Sequence, residues 1–289
     1  MSDAATFGSD SRGILDPGRM AQHVRLRRFP AEGVLADLVR WFWVVEFEFG
    51  PGEEFVQPVL SHPAANLSVG PRRTRRVFPD RVEATAVGVC TGVDHRHLTD
   101  RGWNVAATLR PGAFGAFLRQ DAETLTDRIV ALGEVVDLDD AALVEQVVAH
   151  DGEPVGQVAE LAAMLEGVVD RADPRRVTTG REVAEIGTLI ETDRTIRSTA
   201  QLAASTGVGV RTLQRLFREH AGVSPLWMIR RYRLIDAADA ARAGRPPSWG
   251  ELAAGLGYAD QAHLTRDFKA TVGMTPNEYA RSVQHYRPE

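Results

Sequence analysis

The chain repeats itself once near its C-terminal end. Ser198-Thr-Ala-Gln-Leu-Ala-Ala-Ser-Thr-Gly207 aligns with Ser248-Trp-Gly-Glu-Leu-Ala-Ala-Gly-Leu-Gly257 at an offset of 50 residues. Leu213-Gln-Arg-Leu-Phe-Arg218 then aligns with Leu264-Thr-Arg-Asp-Phe-Lys269 at an offset of 51, as does Gly222-Val-Ser-Pro225 with Gly273-Met-Thr-Pro276. A duplicated segment must be one structural unit that works at both places. Ser198 with Gln201, and Ser248 with Glu251, have the spacing of a capping box, which satisfies the first orphan amides of a helix. A short Leu-Ala-Ala helix follows, small enough on one side for a second helix to approach. Gly207 and Gly257 suit the left-handed residue that ends such a helix. The second helix begins near Val210 or Asp260 and runs to Gly-x-Ser/Thr-Pro. Helix, tight glycine turn, helix is the supersecondary unit that reads DNA.

The second helix of each copy has two faces. At about 100° per residue, Leu213, Leu216, Phe217 and His220 fall on one side, and Arg211, Arg215 and Arg218 fall opposite, with Gln214 on the flank. In the second copy Leu264 and Phe268 form the packing side. Arg266, Lys269 and Ala262 face away, flanked by His263 and Thr265. Arg can bond guanine twice and Gln can bond adenine twice, so Arg211, Gln214, Arg215, His263, Thr265 and Arg266 are the base-reading candidates. Arg218 and Lys269, a turn further from the helix start, are the phosphate candidates. A charged helix face is ordinarily just solvated; two copies with matched caps, turns and stops favour the functional reading. Leu226 to Arg242 reads as one connecting helix, with Trp227, Ile229, Tyr232, Ile235 and Ala238 turned inward. A stiff connector fixes the two reading helices, so the target is two short blocks of duplex roughly 10 bp apart.

The rest of the chain is organised differently. With 289 residues it exceeds what one core usually organises. Residues 1–22 read as a flexible leader. Trp41 to Phe49, Phe55 to Leu60, Asn66 to Val69, Arg75 to Phe78, Ala84 to Val93 and Asn104 to Leu109 are short, apolar or alternating runs between Pro, Gly and Asp, the spacing of a β-barrel or sandwich. After Pro111-Gly112 the pattern turns helical through Phe114, Phe117 and Leu118. Two more helices are expected, from Asp139 to Ala149 and from Pro154 to Val169. In the second, the stripe Val158, Leu161, Leu165, Val168 fits either a dimer contact or the cover of its own β domain. The polar stretch 173–180 reads as a linker, which divides residues 23–172 from residues 181–289.

Charge supports the division. Net charge is −5, yet residues 181–289 hold 15 Lys+Arg and 12 Asp+Glu, giving +3 against −8 for the remainder. Only the contacting surface meets phosphate, so the sign of that part matters more than the total. No apolar run reaches the roughly 18 residues of a membrane span, and no secretory layout opens the chain, so a cytoplasmic setting is expected. Cys90 sits among small apolar residues and reads as an inert thiol. No Walker loop, Gly-x-Ser-x-Gly or zinc-spaced Cys set is present, and no catalytic residue, metal or cofactor is assigned.

The run Gly257-Tyr-Ala-Asp-Gln-Ala-His-Leu-Thr-Arg-Asp-Phe-Lys269, followed by Gly273-Met-Thr-Pro-Asn-Glu-Tyr279, resembles the signature of the AraC/XylS transcription regulators, and the resemblance covers about 181–285. Leu264 stands where an aromatic is usual and Ala262 where a serine is usual, so a contact through that hydroxyl is lost. More weakly, Val39-Arg-Trp-Phe-Trp43, Leu109-Arg-Pro-Gly112, Leu125-Thr-Asp-Arg128 and Leu132 resemble the cupin-like sensor regions of such regulators. The resemblance implies an α+β chain: a β-barrel or cupin-like effector-binding and dimerisation domain, then an all-α domain with two helix-turn-helix units on a linker helix. It implies double-stranded DNA as partner, with a small-molecule effector, a homodimer and RNA polymerase as further partners. Trp41, Trp43 and Phe47 share a strand face and are candidate pocket residues, although core packing explains them equally. His95 and His97 form an His-x-His pair that in a cupin barrel can hold a metal, but the usual following carboxylate is missing and a polar loop fits better. The alternative function is a metal-dependent cupin enzyme carrying a DNA-binding appendage.

Overall fold

The computed structural model describes residues 12–71, 82–243 and 248–284. The N-terminal part is β-rich. Helix α1 (Pro17–His23) leads into β1 (Val24–Phe29), β2 (Val39–Glu48), β3 (Glu54–Val59), β4 (Asn66–Pro71), β5 (Val82–Val87), β6 (Asp94–Thr99), β7 (Arg101–Leu109) and β8 (Ile129–Ala131). All pairings are antiparallel: a six-stranded sheet in the order β1-β2-β7-β4-β5-β8, and a two-stranded sheet of β3 and β6. The strands do not close into the expected barrel among the described residues. β8 has three residues and pairs only with β5, and β1 forms the other edge. The apolar face is covered by helices instead of by a facing wall of strands: Phe42, Val44, Leu67, Val69, Val105 and Ala107 share one core with Leu143, Val147, Leu161 and Leu165.

Those covering helices are α2 (Leu132–Val135), α3 (Asp140–Val148) and α4 (Pro154–Arg171). Val158, Leu161, Leu165 and Val168 of α4 are all buried in this core, so the stripe with two readings covers its own β domain. Between β7 and β8 the chain makes two short 3-10 turns, Phe114–Ala116 and Ala122–Leu125, where a helical pattern is expected. Two strands escape the sequence pattern. β1 sets buried Val24 and Leu26 between Arg25, Arg27 and Arg28, and β6 reads Asp-His-Arg-His-Leu-Thr with no buried residue. The expected strand at Arg75 to Phe78 lies outside the described residues.

Residues 173–180, expected as a linker, are the cap and first turns of a continuous helix α5 (Pro174–Thr192), with Pro174 at its start and the Asp173 side chain accepting from the Arg175 amide. α5 serves two cores. Val177 and Ala184 pack into the β-rich core, while Val183 and Ile190 join the helical one. The described end of the expected leader is likewise ordered by contact: Leu15 and Met20 are buried, and Leu15 belongs to the helical core.

The C-terminal part is all-helical: α6 (Thr199–Thr206), α7 (Val210–His220), α8 (Pro225–Arg242), α9 (Trp249–Gly255), α10 (Gln261–Val272) and α11 (Pro276–Gln284). The Gly-x-Ser/Thr-Pro sequences start helices as well as stopping them. Ser224 caps α8 by accepting from the Trp227 amide at 3.2 Å. Thr275 and Glu278 form a full capping box on α11, with the Thr275 amide donating to Glu278 Oε2 at 2.7 Å and the Glu278 amide donating to Thr275 Oγ1 at 3.3 Å. No described helix is long and apolar enough to cross a membrane.

Candidate nucleic-acid interface

Each repeat folds as a pair of helices around a left-handed glycine. In the first, Ser198 Oγ accepts from the Gln201 amide at 3.2 Å, and Gln201 Oε1 accepts from the Arg197 amide at 2.9 Å, one residue before the expected partner. In the second, Ser248 Oγ accepts from the Glu251 amide at 3.2 Å. Gly207 has φ +70° and Gly257 φ +82°, the region where a Cβ is costly. α10 has the stronger cap, since Asp260 Oδ1 accepts from the His263 amide at 2.7 Å, whereas Gly209 before α7 has no side chain to offer.

The reading helices present the faces their sequences encode. Leu213 and Phe217 of α7, and Leu264 and Phe268 of α10, are fully buried in the helical core. Arg211, Gln214, Arg215 and Arg218 are exposed on α7, and Arg266 and Lys269 on α10. Thr265 and His263 are half-buried. His263 is tied on both sides: its Nε2 is 3.8 Å from Asp267 Oδ2, and its ring meets the Tyr258 ring edge-on at 5.1 Å. Thr212 and Gln261, exposed in the first turns of α7 and α10, lie outside the set that the sequence singles out.

Neighbouring carboxylates organise the cations. Arg215 Nη1 lies 2.8 Å from Glu219 Oε2 one turn on, and Arg218 Nη2 lies 3.5 Å from Glu219 Oε1. Arg218 Nη2 also lies 3.8 Å from Asp121 Oδ2, which belongs to the β-rich part. The contact is part of a larger docking. The far end of α7 sits on the two 3-10 turns, and Gly115 comes so close that a Cβ there would stand 2.5 Å from His220 Nδ1. Thr126 Oγ1 donates to Gly222 O just beyond α7. His220 is 3% exposed, and burial first, then the nearby Arg176 guanidinium, pushes its pKa down from 6.5 to about 4. Helix α7 thus carries cations along its exposed face, and its C-terminal end, Arg218 included, makes the contact with the β-rich part.

α8 joins the units as the centre of the helical part. Tyr232, Ile235, Ile229 and Ala238 are buried as expected, with Trp227 half-buried. The buried arginines beside them carry no apolar signal. Arg233 Nη2 donates to the carbonyls of Ile190, Asp193 and Ile196 at 3.0 to 3.3 Å, which fixes the end of α5 against the first unit. Arg231 donates to the carbonyls of Thr91 and Gly92 and stacks on Trp227, which joins α8 to the β-rich part. Burial lowers its pKa to about 10, so it stays charged at neutral pH. Arg197 links the two units, its Nη2 donating to Gly255 O at 3.3 Å.

The candidates in the β-rich part are scattered. Trp41, Trp43 and Phe47 share one face of β2, opposite Phe42 and Val44, as alternation requires. Trp41 lies under the guanidiniums of Arg28 and Arg40, with their carbons 4.7 and 4.4 Å from its ring centre. Trp43 Nε1 donates to Thr108 Oγ1 at 2.9 Å. Phe47 is buried in a separate small cluster with Met20, Val24 and Phe55. His95 and His97 lie on the strand β6 and not in a loop, and His97 Nδ1 is 2.5 Å from Glu54 Oε1. Among the described residues, no group of three or more His, Cys, Asp or Glu is placed to hold a metal ion. Cys90 is half-buried, and burial pushes its thiol pKa up, away from reactivity.

Family models match both parts. The family model of a helix-turn-helix domain matches residues 202–282, and that of a domain of unknown function, DUF6597, matches residues 27–131. A transcriptional regulator from Chromobacterium violaceum, described by its AraC-type DNA-binding domain, is 23% identical over 39% of this chain and 98% of its own, with a TM-score of 0.34. A probable AraC family regulator from Rhodopseudomonas palustris is 27% identical over 36% of this chain and 94% of its own, with a TM-score of 0.31. ToxT from Vibrio cholerae, solved with an unsaturated fatty acid bound, is 13% identical over 92% of this chain and 97% of its own, with a TM-score of 0.39.

Proposed function

From the match of residues 202–282 to the family model of a helix-turn-helix domain, we propose that the C-terminal part is an AraC-type DNA-binding domain and that the protein regulates transcription by binding specific duplex DNA, under the control of its β-rich part. One observation carries the reading. Both repeats bury the same Leu and Phe pair and leave exposed cationic side chains on the opposite face of the second helix. Arg211, Gln214 and Arg215 on α7 and Arg266 on α10 are the side chains we assign to base edges, with Thr265 and the restrained His263 at the margin. Arg218 and Lys269 are assigned to phosphate. A duplex-binding protein acts where the chromosome is, which agrees with a cytoplasmic setting.

The division into an effector-responsive part and a reading part is proposed with one change: α5, which packs into both cores, makes the joint rigid, so a signal passes through contacts and not through a loose linker. A homodimer would need a surface other than the buried α4 stripe. The test is selection of bound fragments from random duplex DNA, followed by footprinting. Two protected blocks roughly 10 bp apart are expected; one short block, or protection without sequence preference, would refute the reading.

A further inference from the structure

A cavity of about 450 Å3 opens where the N-terminal segment, β2, the end of β7 and α5 meet, and four of its lining side chains are Arg12, Arg40, Arg110 and Arg194. Thr188, Thr192 and Glu191 of α5 complete most of the wall. Glu191 is already heavily engaged. Arg40 Nη1 lies 2.7 Å from Oε2, Tyr232 OH donates to the same oxygen at 3.2 Å, and Arg12 Nη1 lies 3.4 Å from Oε1. Asp236, outside the wall, takes Arg12 Nη2 at 2.6 Å and Arg194 Nε at 3.2 Å. Arg110 donates Nε to Ala36 O at 3.0 Å and pairs with no carboxylate among the described residues. Four guanidiniums therefore share a concave site with one lining carboxylate.

Like charges gathered in a cleft raise the local potential and attract a counter-ion. Guanidinium forks match the paired oxygens of carboxylate and phosphate, while the two threonine hydroxyls donate to the Ala184 and Thr188 carbonyls at 2.9 Å and leave the arginines as the donors of the site. Pro111 is the one nonpolar residue of the wall, so a long alkyl chain would meet mainly arginine and threonine side chains. We propose that this cavity binds a compact, hydrophilic oxyanion, a small polycarboxylate or a phosphate ester, and that this ligand is the effector. The inference rests on the effector-responsive reading above. An anion in the cavity competes with Glu191 for Arg40 and Arg12, and Arg12 also holds Asp236 and Asp239 of α8. Occupancy therefore redistributes the ties between the β-rich part and the two helices that carry the DNA-binding units. The shift can be no larger than the difference in the ligand's affinity for the two arrangements.

The experiment is thermal melting of the full chain without DNA, titrated with citrate, ribose 5-phosphate or decanoate, each against sodium chloride at equal ionic strength. Citrate or ribose 5-phosphate is expected to raise Tm saturably, and whichever responds separates the two oxyanion classes. Arg194→Ala and Arg110→Gln, each measured against its own ligand-free Tm, are expected to raise the half-saturating concentration at least about tenfold, as the loss of one charge-assisted contact would. No saturable shift with either hydrophilic probe, equal half-saturation in the variants, or a shift with decanoate alone would overturn the site. The melt needs no duplex, so failure of DNA binding leaves its outcome intact. If the responding probe binds but changes duplex affinity less than twofold, the effector role falls while the DNA-binding reading stands.

Discussion

α7 is pressed against the β-rich part through His220, Gly222 and the two 3-10 turns, whereas α10 packs on α9 and α11. The two reading helices have nearly the same packing face, Leu213 with Phe217 and Leu264 with Phe268, and differ in what surrounds it. The first also bears the larger charge on its exposed face, Arg211, Arg215 and Arg218 against Arg266 and Lys269. Of the two duplicated helices, α7 has its far end packed against the β-rich part. Under the proposed function, a signal that moves the β-rich part would reach DNA first through α7.

The sharpest way to break this comparison is to empty the same position in each unit. Phe217→Ala and Phe268→Ala each remove a fully buried ring, a loss of about 3–5 kcal/mol. If α7 is integral to both cores, Phe217→Ala lowers one cooperative calorimetric transition, while Phe268→Ala splits off an early transition of the second unit. Identical single transitions in both variants would erase the distinction. Next in size is the pH dependence of His220. Its folded pKa, about 4, lies below the unfolded value of 6.5, so between those values the unfolded chain holds a proton that the native chain refuses. Stability is full above about pH 6.5 and is lost as pH falls towards 4, by of the order of 2–3 kcal/mol. Denaturant midpoints from pH 7 to 4.5 are expected to fall less steeply in His220→Gln; an unchanged slope would remove His220 as the cause.

The repeat was legible because its signals are local. Caps, turn glycines and a 3.6-residue period need no knowledge of the partner surface, and each of Leu213, Phe217, Leu264 and Phe268 went where its period put it. What stayed hidden depends on distant partners. Residues 173–180 look like a linker because α5 is polar along much of its length, yet Val177, Val183 and Ala184 divide between two cores. β6 has no apolar alternation because its ladder with β3 is its main tie. Arg231 and Arg233 look solvated in sequence, but in the interior their Nη groups donate to carbonyls of other elements. Arg12 lies in a stretch that reads as a leader, and its three carboxylate partners are 179 or more positions away.

A smaller effect tests the readers themselves. Arg215→Ala and Arg266→Ala are each expected to weaken the best duplex by about 1–3 kcal/mol and to relax preference at one base, in different blocks of the site. Lys269→Ala is expected to weaken all sequences alike and to flatten the salt slope by about one unit. Quantitative binding to a panel of single-base variants separates these outcomes. If Arg215→Ala behaves like Lys269→Ala, α7 contacts backbone at that point and its assignment to base edges is wrong.

The smallest expected effect bears most directly on the asymmetry. Arg218 and Asp121 are about half-exposed, at 50% and 42%, and their 3.8 Å pair joins the first reading helix to the β-rich part. Such a pair contributes roughly 0.2–1 kcal/mol, so Asp121→Asn should barely move the melting temperature. Under the proposed assignment it frees a phosphate-directed cation from one of its two carboxylate partners, the other being Glu219. Duplex affinity is therefore expected to rise by about 1.4-fold to fivefold for every sequence, following the same energy range, with the gain shrinking at high salt. Long-range charge would give the same sign, so the decisive measurement is the double variant. In Arg218→Ala the added Asp121→Asn should give no further gain, because the cation it frees is gone. A gain that persists in that background would assign the effect to net charge alone, and the restraint on α7 would rest on the packing around His220 and Gly115 rather than on this ion pair.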